Sequence, residues 1–152
     1  MPRVTRDAEV TWEGSSARGR GAITAATSGA FAGLPYSEPT RIQETAEETS
    51  PEELLAAAHA ACFSMSLAGE LTRRRTPPGR VRVRSTVVLD EVEGGGHRIV
   101  ASQLVVRASG AGIDAEGLRA AAEDADAGCP LSALVRASAE VSIDAQLETE
   151  EA

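Results

Sequence analysis

The sequence predicts an α+β fold in a single domain over residues 1–152, with its core over about residues 7–147. Three observations predict it. Short runs of period-two alternation stand at both ends of the chain. One long alanine-rich segment between them carries helix start and stop signals. The order of strands, long helix, strands, helix and strand lacks the regular alternation of a doubly wound sheet.

Val10 and Trp12 alternate with polar neighbours, and Glu13-Gly14-Ser15-Ser16 offers a turn, so a short first strand is expected there. Gly21 to Thr27 is a second candidate strand. Leu34 to Pro39 reads as a loop, because Pro35 and Pro39 lack the N–H of a regular ladder. Thr40 to Thr45 alternates well enough for a third strand.

The clearest element starts at Ser50. Ser50 suits an N-cap, Pro51 the first helical position, and Glu53 the far end of a capping box. The helix is expected to run to about Arg74, with Leu55, Ala58, Cys62 and Met65 on one apolar face, and Thr76-Pro77-Pro78-Gly79 ends it. Val81 to Leu89 and Ile99 to Val106 alternate around Gly94-Gly95-Gly96, which predicts a hairpin. Asp114 caps a second helix through about Ala127, weakened by Gly117. Cys129 is then the expected N-cap of a short helix opened by Pro130 and running through Leu131 to Arg136. Val141, Ile143 and Ala145 form a last strand before a frayed tail over 148–152.

Composition narrows function. The chain carries 15 basic and 23 acidic residues, for a net charge of −8, and every basic residue is arginine. Nucleic-acid binding needs a basic face to neutralise phosphate, so no nucleic-acid partner is expected. No apolar run approaches the ~18 residues of a membrane span, and the N-terminal segment lacks an apolar signal core. The expectation is a soluble cytoplasmic protein without membrane association. Its two cysteines, in a reducing cytosol, are either inert core thiols or a working pair.

Cys62 lies mid-helix. Its plain reading is a buried core thiol, and burial would disfavour the thiolate that does nucleophilic chemistry. To react, it needs a positive hydrogen-bond donor. His59, one turn earlier, is one candidate, and an arginine held by a carboxylate is a better one, because guanidinium stays charged and presents a rigid fork. Cys129 reads either as a capping turn residue or as a thiol whose anion the helix dipole favours.

Ser50-Pro-Glu-Glu-Leu-Leu-Ala-Ala-Ala-His-Ala-Ala-Cys-Phe-Ser-Met65 resembles the first-cysteine segment of the OsmC/Ohr family, the osmotically inducible and organic hydroperoxide resistance proteins. Ala127-Gly-Cys-Pro-Leu-Ser132 resembles its second-cysteine segment. Trp12-Glu-Gly, Pro35-Tyr and Thr40-Arg-Ile resemble the osmotically inducible branch, as does the placing of His59 and Arg41. The resemblance implies antiparallel sheets around a long central cysteine-bearing helix, in an intertwined homodimer. It implies a thiol-dependent peroxidase acting on organic hydroperoxides. Cys62 would become a sulfenic acid, Cys129 would close a disulfide with it, and a dithiol such as a lipoyl group, free or on a lipoylated protein, would reopen it as co-substrate. Arg41 would hold the Cys62 thiolate, with Glu52 orienting the guanidinium. Arg20 or Arg18 could take that role instead, since the Ohr branch draws its arginine from that region. Glu53 is expected to serve the capping box. No bound cofactor or metal is implied.

Glu52 and Cys62 stand ten residues apart, which is about 15 Å of rise along one helix. Unless that helix breaks, a site combining them takes Cys62 from one subunit and Arg41 with Glu52 from the other. Leu55, Phe63, Met65 and Leu131 would form an apolar entrance that favours alkyl over hydrogen peroxide. Two rival readings stand beside this one. In the first, His59 and Cys62, with Cys129, bind a metal; a structural zinc site needs four ligands, and His97 lies on the hairpin turn. In the second, the chain is a non-catalytic dimeric stress-response or small-ligand-binding module on the same fold.

Overall fold

The computed structural model of the chain describes residues 3–44 and 46–148. They form two compact units, Met1–Leu54 and Leu55–Ala152. Together these hold two three-stranded sheets and one long helix, an α+β composition.

In the first unit, β1 (Glu9–Glu13), β2 (Arg20–Thr24) and β3 (Leu34–Tyr36) make an antiparallel sheet in that order, and α1 (Glu38–Ile42) follows. Two expectations are overturned here. Leu34 to Tyr36 is a strand, not loop; Pro35 is tolerated because β3 is an edge and needs no donor on its open side. Thr40 to Ile42 are helical, not a strand, with Gln43 as the C-cap, and Thr45, at the end of that expected strand, lies outside the described residues. The reason is a second capping box. Ser37 accepts from the Thr40 N–H, Thr40 Oγ1 accepts from the Ser37 N–H, and proline stands in the first turn. A few residues of alternation do not outweigh that local start signal.

The helix α2 (Pro51–Arg73) runs unbroken for 23 residues. Ser50 Oγ accepts from the Glu53 N–H at 3.1 Å, so the cap forms, but the Glu53 carboxylate takes its bond from Thr49 Oγ1. By length and composition this helix is long and apolar enough to cross a membrane, contrary to the reading that no such run exists. Yet Phe63, Leu67 and Leu71, spaced by four, are fully buried inside the second unit. The inward face is therefore His59, Phe63, Leu67 and Leu71 rather than the expected Leu55, Ala58, Cys62 and Met65; Met65 is 70% exposed. Alanines all round the helix left its apolar moment too weak to orient it from sequence.

In the second unit, β4 (Arg80–Glu91) and β5 (His97–Ser109) form the expected hairpin, turning through three glycines of positive φ. α3 (Ala115–Gly128) and α4 (Pro130–Arg136) follow, then β6 (Glu140–Leu147). β6 pairs with β5 in parallel, which corrects the expectation of purely antiparallel sheets. A strand reached through two helices crosses over and re-enters in the same direction. Leu104, Val106 and Ala108 of β5 pack with Leu118, Ala121, Ala122 and Ala125 of α3 on the α2 face. Removing a buried leucine side chain from such a core costs about 2–5 kcal/mol.

Gly117 has a local use. Its N–H bonds Asp114 Oδ1 at 2.7 Å, and a Cβ there would stand 3.0 Å from that oxygen. Glu148 is not loose: its N–H reaches the Ala108 carbonyl and its carboxylate meets Arg82. The rest of the expected frayed tail, 149–152, lies outside the described residues.

Candidate active site

Cys129 is the N-cap of α4, and its Sγ accepts from the Ser132 N–H at 3.5 Å. It is 1% exposed and sits in the core cluster, whereas Cys62 is half-buried against the edge of that cluster. Both are free thiols, and Cys129 lies near enough to Cys62 to act on its ionisation. Burial pushes the Cys62 thiol above its ordinary pKa; the backbone N–H of Leu131 pulls it down, and the adjoining Cys129 thiol raises it further. Burial at Cys62 thus favours the neutral thiol over the thiolate.

His59 is fully buried one turn before Cys62. Its Nδ1 bonds Ser102 Oγ at 2.7 Å and its Nε2 bonds Ser132 Oγ at 2.9 Å. Ser102 Oγ continues to Ser85 Oγ at 3.1 Å. Burial holds the His59 pKa down; the Asp126 charge opposes this and the Arg136 charge adds to it. With both nitrogens engaged by hydroxyls, the neutral ring has no lone pair to offer a metal. Among the described residues no three His, Cys, Asp or Glu side chains gather as a metal site. His97 lies exposed at the start of β5.

In the first unit, α1 carries Arg41 in its last turn and α2 carries Glu52 in its first. Arg41 Nε and Nη2 both donate to Glu52 Oε1, at 2.9 and 2.6 Å. Arg41 borders a cavity of about 340 Å³ whose walls include Trp12, Tyr36, Ser37 and Pro51. Arg20 is paired with Glu48 instead. Of the expected apolar entrance, Phe63 packs wholly within the core, Leu55 and Leu131 are half-buried, and Met65 is open.

The site therefore gathers Cys62 with Cys129, and separately Arg41 with Glu52. Sequence reasoning missed Ser102 and Ser132 as partners of His59. Ser132 had a signal, since it stands three residues after an N-cap cysteine. It also missed Trp12 and Tyr36 as walls of the Arg41 cavity, although both lie in segments already singled out.

The chain is similar to known proteins over most of its length. The profile of the family described as OsmC-like protein matches residues 44–144. Peroxiredoxin OsmC of Escherichia coli (strain K12) is 36% identical over 146 residues, covering 96% of this chain and 99% of the relative. The organic hydroperoxide resistance protein OhrB of Bacillus subtilis superposes with a TM-score of 0.71 at 27% identity, covering 92% of this chain and 98% of that one. An organic hydroperoxide resistance protein OsmC from Legionella pneumophila shares the fold, with a TM-score of 0.75 at 22% identity over 96% of this chain and 99% of the other. With the paired cysteines, the unbroken helix that carries the first of them, and a family match over most of its length, this chain belongs to the OsmC-like protein family.

Proposed function

We propose that this chain is a cysteine-based peroxidase that reduces organic hydroperoxides to alcohols. The observation that supports the reading is two free thiols gathered at one core cluster, one half-buried at its edge and one buried at a helix N-cap. The Cys62 thiolate attacks the distal peroxide oxygen, the O–O bond breaks, and the alkoxide leaves as alcohol after taking a proton. Cys62 becomes a sulfenic acid. The Cys129 sulfur then attacks the Cys62 sulfur and water departs, leaving a disulfide. A dithiol co-substrate such as a lipoyl group, free or protein-bound, reopens it by exchange and is itself oxidised. A peroxiredoxin is among the family relatives, which supports the activity class.

Cys62 needs a cation in this reading, and the candidate is Arg41, whose guanidinium is held by Glu52. On the unbroken α2, ten residues separate Glu52 from Cys62, or about 15 Å of rise. The active unit in this reading is therefore a homodimer in which Cys62 and Cys129 of one protomer work with Arg41 and Glu52 of its partner. Leu55, Met65 and Leu131 line the approach to Cys62, with Phe63 behind them, and favour alkyl chains at about 0.8 kcal/mol per buried methylene. A cytoplasmic setting keeps both thiols reduced between cycles.

The test is steady-state consumption of cumene hydroperoxide by the purified protein with lipoamide, lipoamide dehydrogenase and NADH. Turnover is expected in the parent and absent in Cys62→Ser. An inert parent whose thiols both stay free after peroxide would leave a non-catalytic dimeric module on the same fold. Thiols oxidised without turnover would reject the lipoyl reductant alone.

A further inference from the structure

His59 has no part in the chemistry above, yet it is among the most buried polar groups in the chain. It stands three residues before Cys62 on α2, and its Nε2 partner Ser132 stands three residues after Cys129 on α4. One hydrogen bond thus joins the helical turn that carries the first cysteine to the turn that carries the second. Ser132 is doubly committed. Its hydroxyl meets His59 and its backbone N–H meets Cys129 Sγ. On the other side, Nδ1 is anchored through Ser102 to Ser85, and so to the β4–β5 hairpin.

We propose that His59 is a positioning residue, a strut from the β4–β5 hairpin to α4 that sets how readily the Cys62 and Cys129 sulfurs join. The physical basis is effective concentration. Joining two groups held in reacting geometry gains orders of magnitude over joining groups free to drift. A disulfide also demands a narrow range of Cα separation and torsion, so a small loosening of α4 against α2 matters. An apolar residue at position 59 would leave the buried Ser132 hydroxyl without this partner and would remove the polar tie between α4 and the β4–β5 hairpin, leaving the Cys129 cap and the packing of Leu131 to hold the start of α4. The ring works neutral, with one nitrogen donating and the other accepting. It holds the sulfurs without exchanging protons with them.

The inference rests on the peroxidase reading for its consequence in turnover, but the strut is measurable without it. In a dithiothreitol redox titration of the full-length protein, the equilibrium between the Cys62/Cys129 dithiol and its disulfide reports the effective concentration of one sulfur at the other. His59→Leu is expected to lower that constant roughly tenfold or more. His59→Gln, which can still donate and accept, is expected to recover part of it. Ser132→Ala keeps the backbone N–H on Cys129 and removes only the hydroxyl; it should reproduce the loss, and it covers the case in which His59→Leu does not fold.

With one equivalent of cumene hydroperoxide, trapping by dimedone should show the Cys62 sulfenic acid forming at the parent rate in Ser132→Ala and surviving longer before closure. An unchanged dithiol–disulfide constant in folded Ser132→Ala overturns the strut, as does loss of Cys62 oxidation and closure in equal measure. A shifted constant in a protein that never reacts with peroxide upholds the strut and removes the peroxidase reading instead.

Discussion

Arg41 grips Glu52 by a single oxygen. Nε and Nη2 of the guanidinium both converge on Oε1, while Oε2 is buried with no hydrogen-bond partner among the described residues. An arginine fork usually spreads over both carboxylate oxygens. Here both bonds go to one oxygen, and Nη1 has no hydrogen-bond partner among the described residues.

Replacing Arg41 should therefore remove thiolate stabilisation rather than fold. Arg41→Ala is expected to lower kcat/KM for cumene hydroperoxide by about 10²–10³-fold, the usual range for losing one preorganised donor. Arg41→Lys should recover little, because an ammonium cannot bridge carboxylate and thiolate in one plane. Alkylation of Cys62 by iodoacetamide as a function of pH checks the cause. Burial already raises this thiol, so without the cation its midpoint should move further up. A parent-like profile in Arg41→Ala would assign the thiolate to another partner, with Arg20 the next to test.

Subunit sharing makes a separate forecast. Cys62→Ser and Arg41→Ala chains are each expected to be inactive alone. Co-refolded, a statistical mixture contains heterodimers with one intact composite site, so about a quarter of parental activity should return when half the dimers are mixed and each has one working site of two. Recovery no greater than the sum of the two separate variants would place the whole site within one chain.

The buried His59 gives the fold a pH dependence of definite sign. Its pKa is held below the ordinary 6.5, chiefly by burial, with Asp126 opposing and Arg136 reinforcing. Between the folded and unfolded values the unfolded chain binds more protons, so stability rises with pH in that window. The contribution is complete above the unfolded value and is lost as pH falls towards the folded one. Urea midpoints measured at about pH 7.5 and about pH 5.5 should drop on acidification in the parent and drop less in His59→Gln. Equal drops would assign the acid sensitivity to other groups.

Gly21 lies opposite Tyr36 across β2 and β3, and a Cβ there would stand 2.2 Å from the tyrosine ring. The ring in turn packs on Trp12, with centroids 5.5 Å apart, and both walls belong to the Arg41 cavity. Gly21→Ala should push Tyr36 aside and destabilise the protein by about 1–3 kcal/mol, the usual cost of overpacking. Peroxide turnover should fall with it, through the altered cavity. A changed near-ultraviolet signal from Trp12, the single tryptophan, would report the displaced ring directly.

Elements with local signals were legible in the residues themselves. Ser50-Pro51 opened the long helix, the glycine run turned the β4–β5 hairpin, and Asp114 and Cys129-Pro130 opened α3 and α4 where expected. Caps, prolines and glycines act within a few residues of themselves, so a linear reading captures them. The same logic accounts for Thr40, where a second capping box outweighs a short alternation. The two cysteines and the Arg41–Glu52 couple are legible through resemblance of motif rather than through geometry.

Tertiary structure alone decided the rest. The direction of β6 depends on how two helices cross back over the sheet, and no residue in β6 encodes it. The inward face of α2 went to Phe63, Leu67 and Leu71 because β5 and α3 supply the surface they fill, where alanines on every side had left the helix without a strong preference. The hydroxyls that hold His59 come from 43 and 73 residues away in the chain. Burial of a histidine is tolerable only when such partners arrive together, and their meeting is a property of the packed chain, not of any segment of it.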